Sequence, residues 1–583
     1  MMRFFLVLIS AFLLSIPSLL AQSNLEAAQS QSEQLQRDRA AQEREKRLEQ
    51  LRAQNHLKKT GEEVEGAARE LVVANSPCFD IHKIDVTGVT KISSYKIGKI
   101  RRDFANNCLS VPDLNLILKQ ITGLYIDKGY IASRAYLPEQ DLNDGTLEVS
   151  VIEGRMEALT WDADKTKNRT QLQTAFPNRQ GKIVNLRDIE QGLDQINRLQ
   201  SNNAQMQLEA GSELGQSILA IKNQQSKPWY GSISFDNLGS ESTGKYKSAI
   251  TLGYDDLLDM NDSFSLSYSR SLNEFPYQYG ADKNKLSDSL NINYSVPYGY
   301  WTWSFAGSLS HYETSIQGVF SEIRTSGRSD SWSVTADRVL HRDQKSKTSL
   351  SSTFLRKSNE SFLMNSLIES SSRALTTANL SLTHSRQMLG GQVLATGTYE
   401  RGLKIFGAFN DKTAADDSPK GQFDKLSWSL GYSAQTQAKG WTFGFDSQFS
   451  GQWSDDLLFG SEQFSIGGIS SVRGVMSSLH AGNNGFLSRN ELSIALPKTG
   501  EKFMDIVFGQ AEFYGAIDIG QIFEQSEFDI DGDSLVGGAV GLRTKGGKFS
   551  IDLTYSDLIS GSSSIQSTLD EPGVYYAKGS FSF

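Results

Sequence analysis

The chain has 583 residues, more than one ordinary domain holds, so several units are expected. Its hydrophobic fraction of 38% is low for a globular protein, while aromatics reach 10% and Gly (50) far outnumbers Pro (11). That mixture suits strands with one apolar and one polar face, and a formal charge of -9 excludes a global basic surface and with it nucleic-acid binding.

Residues 1–21 read as a secretory signal peptide. Arg3 precedes an apolar run from Phe4 to Leu14, then come Pro17 and Ala21, with cleavage near Ala21–Gln22 and a poor Leu19 at the -3 position. An N-terminal membrane anchor is the alternative. No later segment carries ~18 consecutive apolar residues, so an exported chain of this kind is either soluble or a closed barrel. Residues 22–59 lack Gly and Pro and are rich in Ala, Gln, Glu, Arg, Lys and Leu, which predicts a helix. Glu33–Arg37 and Glu43–Arg47 are favourable i,i+4 pairs, whereas Leu25, Leu35, Leu48 and Leu51 keep no heptad. A helix polar nearly all round needs water on most sides, and taken alone this stretch reads as a solvated periplasmic helix. Residues 60–77 form a tether closed by Pro77.

Residues 78–155 and 156–225 read as two small α+β modules. In the first, a strand over Phe79–Val86 is followed by a helix over Ser93–Phe104. A second helix opens at Val111-Pro112-Asp113, with Leu114, Ile117, Leu118, Ile121 and Tyr125 on one face. Two strands follow, Ile131–Leu137 and Leu147–Ile152, hinged at Asn143-Asp144-Gly145. The second module repeats this order loosely: a strand at Glu157–Trp161, helical Leu186, Ile189, Leu193 and Ile196, then strands around Met206, Leu208, Leu219 and Ile221.

Gly129-Tyr130, the run Tyr136-Leu137-Pro138-Glu139-Gln140-Asp141-Leu142 and Val151-Ile152-Glu153-Gly154 resemble the signature of POTRA domains in two-partner secretion transporters. The resemblance implies a periplasmic location, where Cys78 and Cys108 would form a disulfide. Closing a loop of ~30 residues contributes roughly 3–4 kcal/mol. Free or metal-binding thiols are the alternative.

Past Pro228 the period changes to two. Phe264, Leu266 and Tyr268 alternate with Ser263, Ser265, Ser267 and Ser269; Leu290, Ile292, Tyr294 and Val296 alternate with Ser289, Asn291, Asn293 and Ser295. An apolar face ending in aromatics, opposite a face of Ser, Asn, Asp and Lys, predicts a transmembrane β-barrel over 226–583 with ~16 antiparallel strands. The chain ends in a strand carrying Phe581 and Phe583, which resembles the signal read by the barrel-assembly machinery. A soluble β-sandwich or solenoid is the alternative.

With the C-terminus at the periplasm, the segment before Gly485 is an extracellular loop, and it holds Val472-Arg473-Gly474. In the strand Ala511–Ile522, Asp518 shares a face with Glu512, Tyr514, Ala516 and Gly520; a carboxylate facing lipid is costly, so this face looks into the lumen. Val472-Arg473-Gly474 with Tyr514, Asp518 and Gly520 resembles the paired motif of POTRA-bearing barrels, which implies a loop folded inward with Arg473 on Asp518. Val475 stands where the family usually has an aromatic. The loop serves as a latch or as a static strut.

Asp529-x-Asp531-Gly532-Asp533 resembles a calcium loop, but position twelve is Val540, so an acidic surface hairpin is expected. No nucleophile–base pair or phosphate loop stands out, so neither enzyme activity nor a cofactor is expected. The resemblance implies an outer-membrane pore, set in lipid, that binds a secreted exoprotein by its N-terminal secretion domain and exports it. It implies too that residues 22–59 plug the lumen. An insertase of the same superfamily and, less readily, a passive porin are the alternatives.

Overall fold

The computed structural model describes residues 28–37, 78–161, 169–272, 285–317, 322–413, 418–477, 479–498, 500–528, 530–562 and 572–583. The expected signal peptide, the tether and the plug helix beyond 28–37 lie outside the described residues. Residues 28–37 are helical.

The first module packs two helices, Ser94–Phe104 and Val111–Asp127, on a sheet in which Lys83–Thr87 runs parallel to Thr146–Ile152, with Arg134–Tyr136 on the other side. Ile117, Ile121, Tyr125 and Leu147 form its dry centre. The single strand expected over Phe79–Val86 is two. The chain breaks at His82, where the backbone N–H groups of His82 and Lys83 both donate to the carbonyl of Gly145, at 2.8 and 3.1 Å. The piece Cys78–Ile81 pairs instead with Asn107–Ser110, a short strand between the two helices. Cys78 and Cys108 are disulfide-bonded across this pair, with Cα atoms 5.3 Å apart. Asn143-Asp144-Gly145 is not a tight hairpin: Leu142–Asp144 is a 3-10 turn ended by Gly145 at φ 76°, and the preceding strand is only Arg134–Tyr136. Glu153 of the signature accepts from the Thr90 and Lys91 amides (2.7 and 3.0 Å) and the Tyr125 hydroxyl (2.7 Å). Burial alone would raise this carboxyl; the hydrogen bonds outweigh it and hold it below the usual carboxylate range.

The second module repeats the plan, with Arg155–Trp161 parallel to Gln216–Asn223 and Ala204–Ala210 antiparallel to the latter. Its first helix, Arg169–Ala175, carries no sequence mark because about two turns of mostly polar residues show no apolar stripe.

Residues from Trp229 onward form a closed antiparallel barrel of 16 strands. Register and pattern agree. Phe264, Leu266 and Tyr268 face Tyr294, Ile292 and Leu290, and Ser265 and Ser267 face Asn293 and Asn291. The apolar rows point outward and stay exposed (Ile292, Leu309, Leu382, Leu426, Ile517), while Ser351, Thr353, Ser381, Thr383, Gln448 and Ser450 are buried within. An apolar outside around a polar inside is the inverse of a soluble core and fits only a lipid surround. The ring closes where Lys578–Ser582 pairs with Asp236–Ser232.

The second module is bonded to the turns at one end of this barrel. Gly299 donates its N–H to the Thr174 carbonyl (2.7 Å) and accepts from the amides of Gln191 and Gln195 (3.2 and 2.9 Å). Arg198 donates to the carbonyls of Asn261 and Ser295 at 2.6 and 2.8 Å, and Arg342 meets Asp194 at 2.5 Å. Burial lowers Arg198 to about 10 despite the neighbouring Asp262 and Asp255.

Candidate functional site

The connection from Trp453 to Gly485 leaves the barrel at the end away from the modules and turns back inside it. Its short hairpin, Phe464–Ile466 with His480–Gly482, packs Phe464, Ile466, Val472 and Val475 against wall residues Leu487, Ile522, Leu535 and Leu558. This cluster holds the tip of the loop against one side of the wall. Val475 contributes to it, and its carbonyl accepts from the Tyr576 hydroxyl at 2.5 Å.

Arg473, 5% exposed, forks onto Asp518, 1% exposed: Nε donates to Oδ2 at 2.6 Å and Nη2 to Oδ1 at 2.8 Å. The Arg473 amide adds a third bond to Oδ2 at 3.1 Å, so the carboxylate fixes backbone as well as side chain. Nη1 reaches Glu491 at 3.4 Å. A bidentate guanidinium–carboxylate pair is the strong form of such a bond. Removing one partner from a buried pair costs about 3–5 kcal/mol, because the other charge is left alone.

Glycines make the room. A Cβ on Gly520 would come within 2.8 Å of Val472, and one on Gly537, which faces Asp518 across the sheet, within 1.8 Å of the Arg473 carbonyl oxygen. Gly474 takes φ 130°, a conformation that favours glycine. Tyr514 lies under Arg543, whose guanidinium carbon is 4.4 Å from the ring centre, and bonds Thr554 by its hydroxyl.

Sequence reading named Val472, Arg473, Gly474, Tyr514, Asp518 and Gly520, and the structure brings all six to this one patch. It missed their surround. Glu491 bridges Arg473 and Arg543 (3.4 and 2.5 Å), and Glu512 holds Arg543 and Lys545. A further anchor sits at Glu462, fully enclosed between Lys425 (2.7 Å) and Lys357, with Lys425 shared by Glu400 at 3.1 Å. The available signal was parity: Lys357, Glu400 and Lys425 stand at inward positions of strands whose other inward positions carry Ser351 and Thr353, Thr396 and Thr398, and Ser427 and Ser429. Asp533 is a correction. It is no surface residue of an acidic hairpin but buried, and it meets His480 at 2.8 Å. Asp529 lies outside the described residues.

Helix 28–37 rests inside the same mouth. Ser32 hydrogen-bonds Ser361 at 2.7 Å, Gln31 reaches Thr314 at 3.4 Å, and Gln34 reaches Ser477 of the inturned loop at 3.4 Å. Phe581 and Phe583 stand at the module end, partly exposed and stacked at 6.1 Å; the Phe583 backbone pairs with Gly231.

A closed lipid-facing barrel, two modules docked at one end and an inturned arginine loop define a POTRA-bearing outer-membrane barrel. The family model described as haemolysin secretion/activation protein ShlB/FhaC/HecB matches residues 215–544, and models for a ShlB-type POTRA domain and a POTRA domain match 79–154 and 155–210. The outer membrane transporter CdiB of Dickeya dadantii is 32% identical over 466 residues, 80% of either chain. The hemolysin transporter protein ShlB of Serratia marcescens is 30% identical over 420 residues, 72% of either chain. The solved structure of CdiB from Escherichia coli superposes with a TM-score of 0.83 at 29% identity, covering 94% of this chain and 98% of that one. The chain belongs to the ShlB/FhaC/HecB family of two-partner secretion transporters; it lies in the outer membrane with its POTRA domains in the periplasm.

Proposed function

We propose that this chain exports one large partner exoprotein through its barrel, with helix 28–37 and the inturned loop as the two elements that gate the passage. The observation that carries this reading is that both elements occupy one polar lumen and touch each other there, through Gln34 and Ser477. In the periplasm the POTRA sheets leave Arg134–Tyr136 and Ala204–Ala210 as edge strands. An extended segment of the exoprotein's N-terminal secretion domain adds to such an edge by backbone hydrogen bonds, which demand little of its sequence. No nucleotide is needed: folding outside the cell draws the chain forward. The arginine loop acts as the latch, and the ends of the last strand, Phe581 and Phe583, serve the barrel-assembly machinery.

An insertase would open its seam sideways. Here the first and last strands are bonded from Asp236 to Ser232, and an extra link runs from Gly231 to Phe583, which favours passage along the axis. The test is export. Co-expression with a candidate exoprotein that carries an N-terminal secretion domain is expected to place that protein in the medium or on the cell surface. Retention in the periplasm, with the barrel assembled, would sink the proposal.

A further inference from the structure

At the periplasmic rim a cleft of about 610 Å³ opens between the barrel wall and the modules. On the wall, Arg338 points outward, opposite Trp301 in the register, with its guanidinium carbon 5.1 Å from the indole centre. Trp301 stacks on Trp303 at 5.9 Å, and Trp303, Tyr298 and Leu340 remain exposed on the same outer face. This is an aromatic girdle at headgroup depth. A guanidinium on that face is costly in the hydrocarbon but stable where its tip reaches the headgroups. From the modules, Lys128, at the end of the helix Val111–Asp127, and Arg187 line the opposite side.

Most charges of the cleft are spoken for. Arg187 Nη1 donates to both Glu190 oxygens (2.7 and 2.8 Å), Arg342 meets Glu190 and Asp194, and Asp188 is held by Arg179 and Tyr300. Lys128 and Arg338 differ. Lys128 bonds only the Lys91 carbonyl (3.0 Å) and Arg338 only stacks on Trp301; among the described residues neither has a carboxylate. Two cations without counter-ions therefore share a cleft whose one wall continues into the lipid-facing surface.

We propose that this cleft seats the phosphate headgroup of an anionic phospholipid of the inner leaflet, with Lys128 and Arg338 on the phosphate and the acyl chains lying over Trp301 and Leu340. A free phosphate shares the charge but not the apolar half of the site, so the lipid is the occupant favoured. Because Lys128 belongs to the first module, the bound lipid would tie the modules' tilt to the membrane surface.

The full-length protein, purified in detergent, is offered dioleoyl-phosphatidylglycerol or dioleoyl-phosphatidylethanolamine, and retained lipid is counted by native mass spectrometry. Preferential retention of one phosphatidylglycerol is expected, falling about fivefold for each of Lys128→Gln and Arg338→Gln. Arg338→Lys, which keeps the charge, should retain it, and heat-modifiable migration reports that each barrel is folded. Equal retention of both lipids, or undiminished retention by the folded double variant, overturns the proposal. Displacement by millimolar inorganic phosphate overturns it too, since the site would then belong to a free anion.

Discussion

Among the described residues two elements enter the lumen, and they are held by different chemistry. The inturned loop is fixed by buried ion pairs at two points, Arg473 on Asp518 and Glu462 between Lys357 and Lys425, and by an apolar cluster around Val472. Helix 28–37 touches the wall mainly through neutral groups, Ser32 on Ser361 and Gln31 on Thr314, with one bond from a wall cation, Arg373 to Gln36 at 3.4 Å. Each neutral hydrogen bond contributes only about 0.5–1.5 kcal/mol net, and water replaces it readily. A buried charge that loses its partner has no such replacement. Over the described residues the helix is held less tightly than the loop, which is the difference the proposed plug and latch need.

The strongest way to break the comparison is Arg473→Ala. It should strand Asp518, weaken loop docking by about 3–5 kcal/mol, and cut exoprotein export at least tenfold while the barrel still assembles. Export at the wild-type level would remove the latch role. A cysteine pair at 473 and 518 should crosslink on oxidation. Glu462→Gln should act in the same direction but less, by about 3 kcal/mol, since Lys425 keeps Glu400; protease accessibility of the loop measures it. Deleting residues 22–55 should lower thermal stability by only about 1–3 kcal/mol yet raise single-channel conductance in planar bilayers, and unchanged conductance would rule out the plug.

The smallest effect lies outside the lumen, at the junction of the second module. Asp256, in the periplasmic turn after Tyr246–Asp255, is pushed up to about 6 by burial, with Asp259, Asp262 and Asp255 adding to the shift and a 2.8 Å bond from the Asn261 amide opposing it. A carboxyl raised in the folded state is a penalty while charged. The wild type should therefore lose stability as the pH rises from about 4 to about 6, and over that window the melting-temperature difference between it and Asp256→Asn, which cannot titrate, should move in the variant's favour. An unchanged difference across that window would assign the effect to packing.

Much of this was legible in the chain itself. The barrel's alternation survives because every strand must show one face to lipid and one to water, so Phe264 to Tyr268 or Phe513 to Ile519 carry the pattern without help from neighbours. The Glu153-Gly154 and Val472-Arg473-Gly474 signatures are legible as short contiguous runs, although the partners of their charged side chains, Thr90, Lys91 and Tyr125 for Glu153 and Asp518 for Arg473, lie far along the chain. The strand Asn107–Ser110, the helix Arg169–Ala175 and the Glu462 anchor carry no such local mark.

Sequence alone therefore determined the class of wall and the order of the modules, since both follow from periodicity, which is local. Which lumen charges meet, which glycines clear a path for the Arg473 backbone, and where the second module grips the rim were decided only when distant strands came together. A Glu and its two Lys partners, separated by as much as the span from Lys357 to Glu462, have no spacing rule: the closure of the barrel alone makes them neighbours.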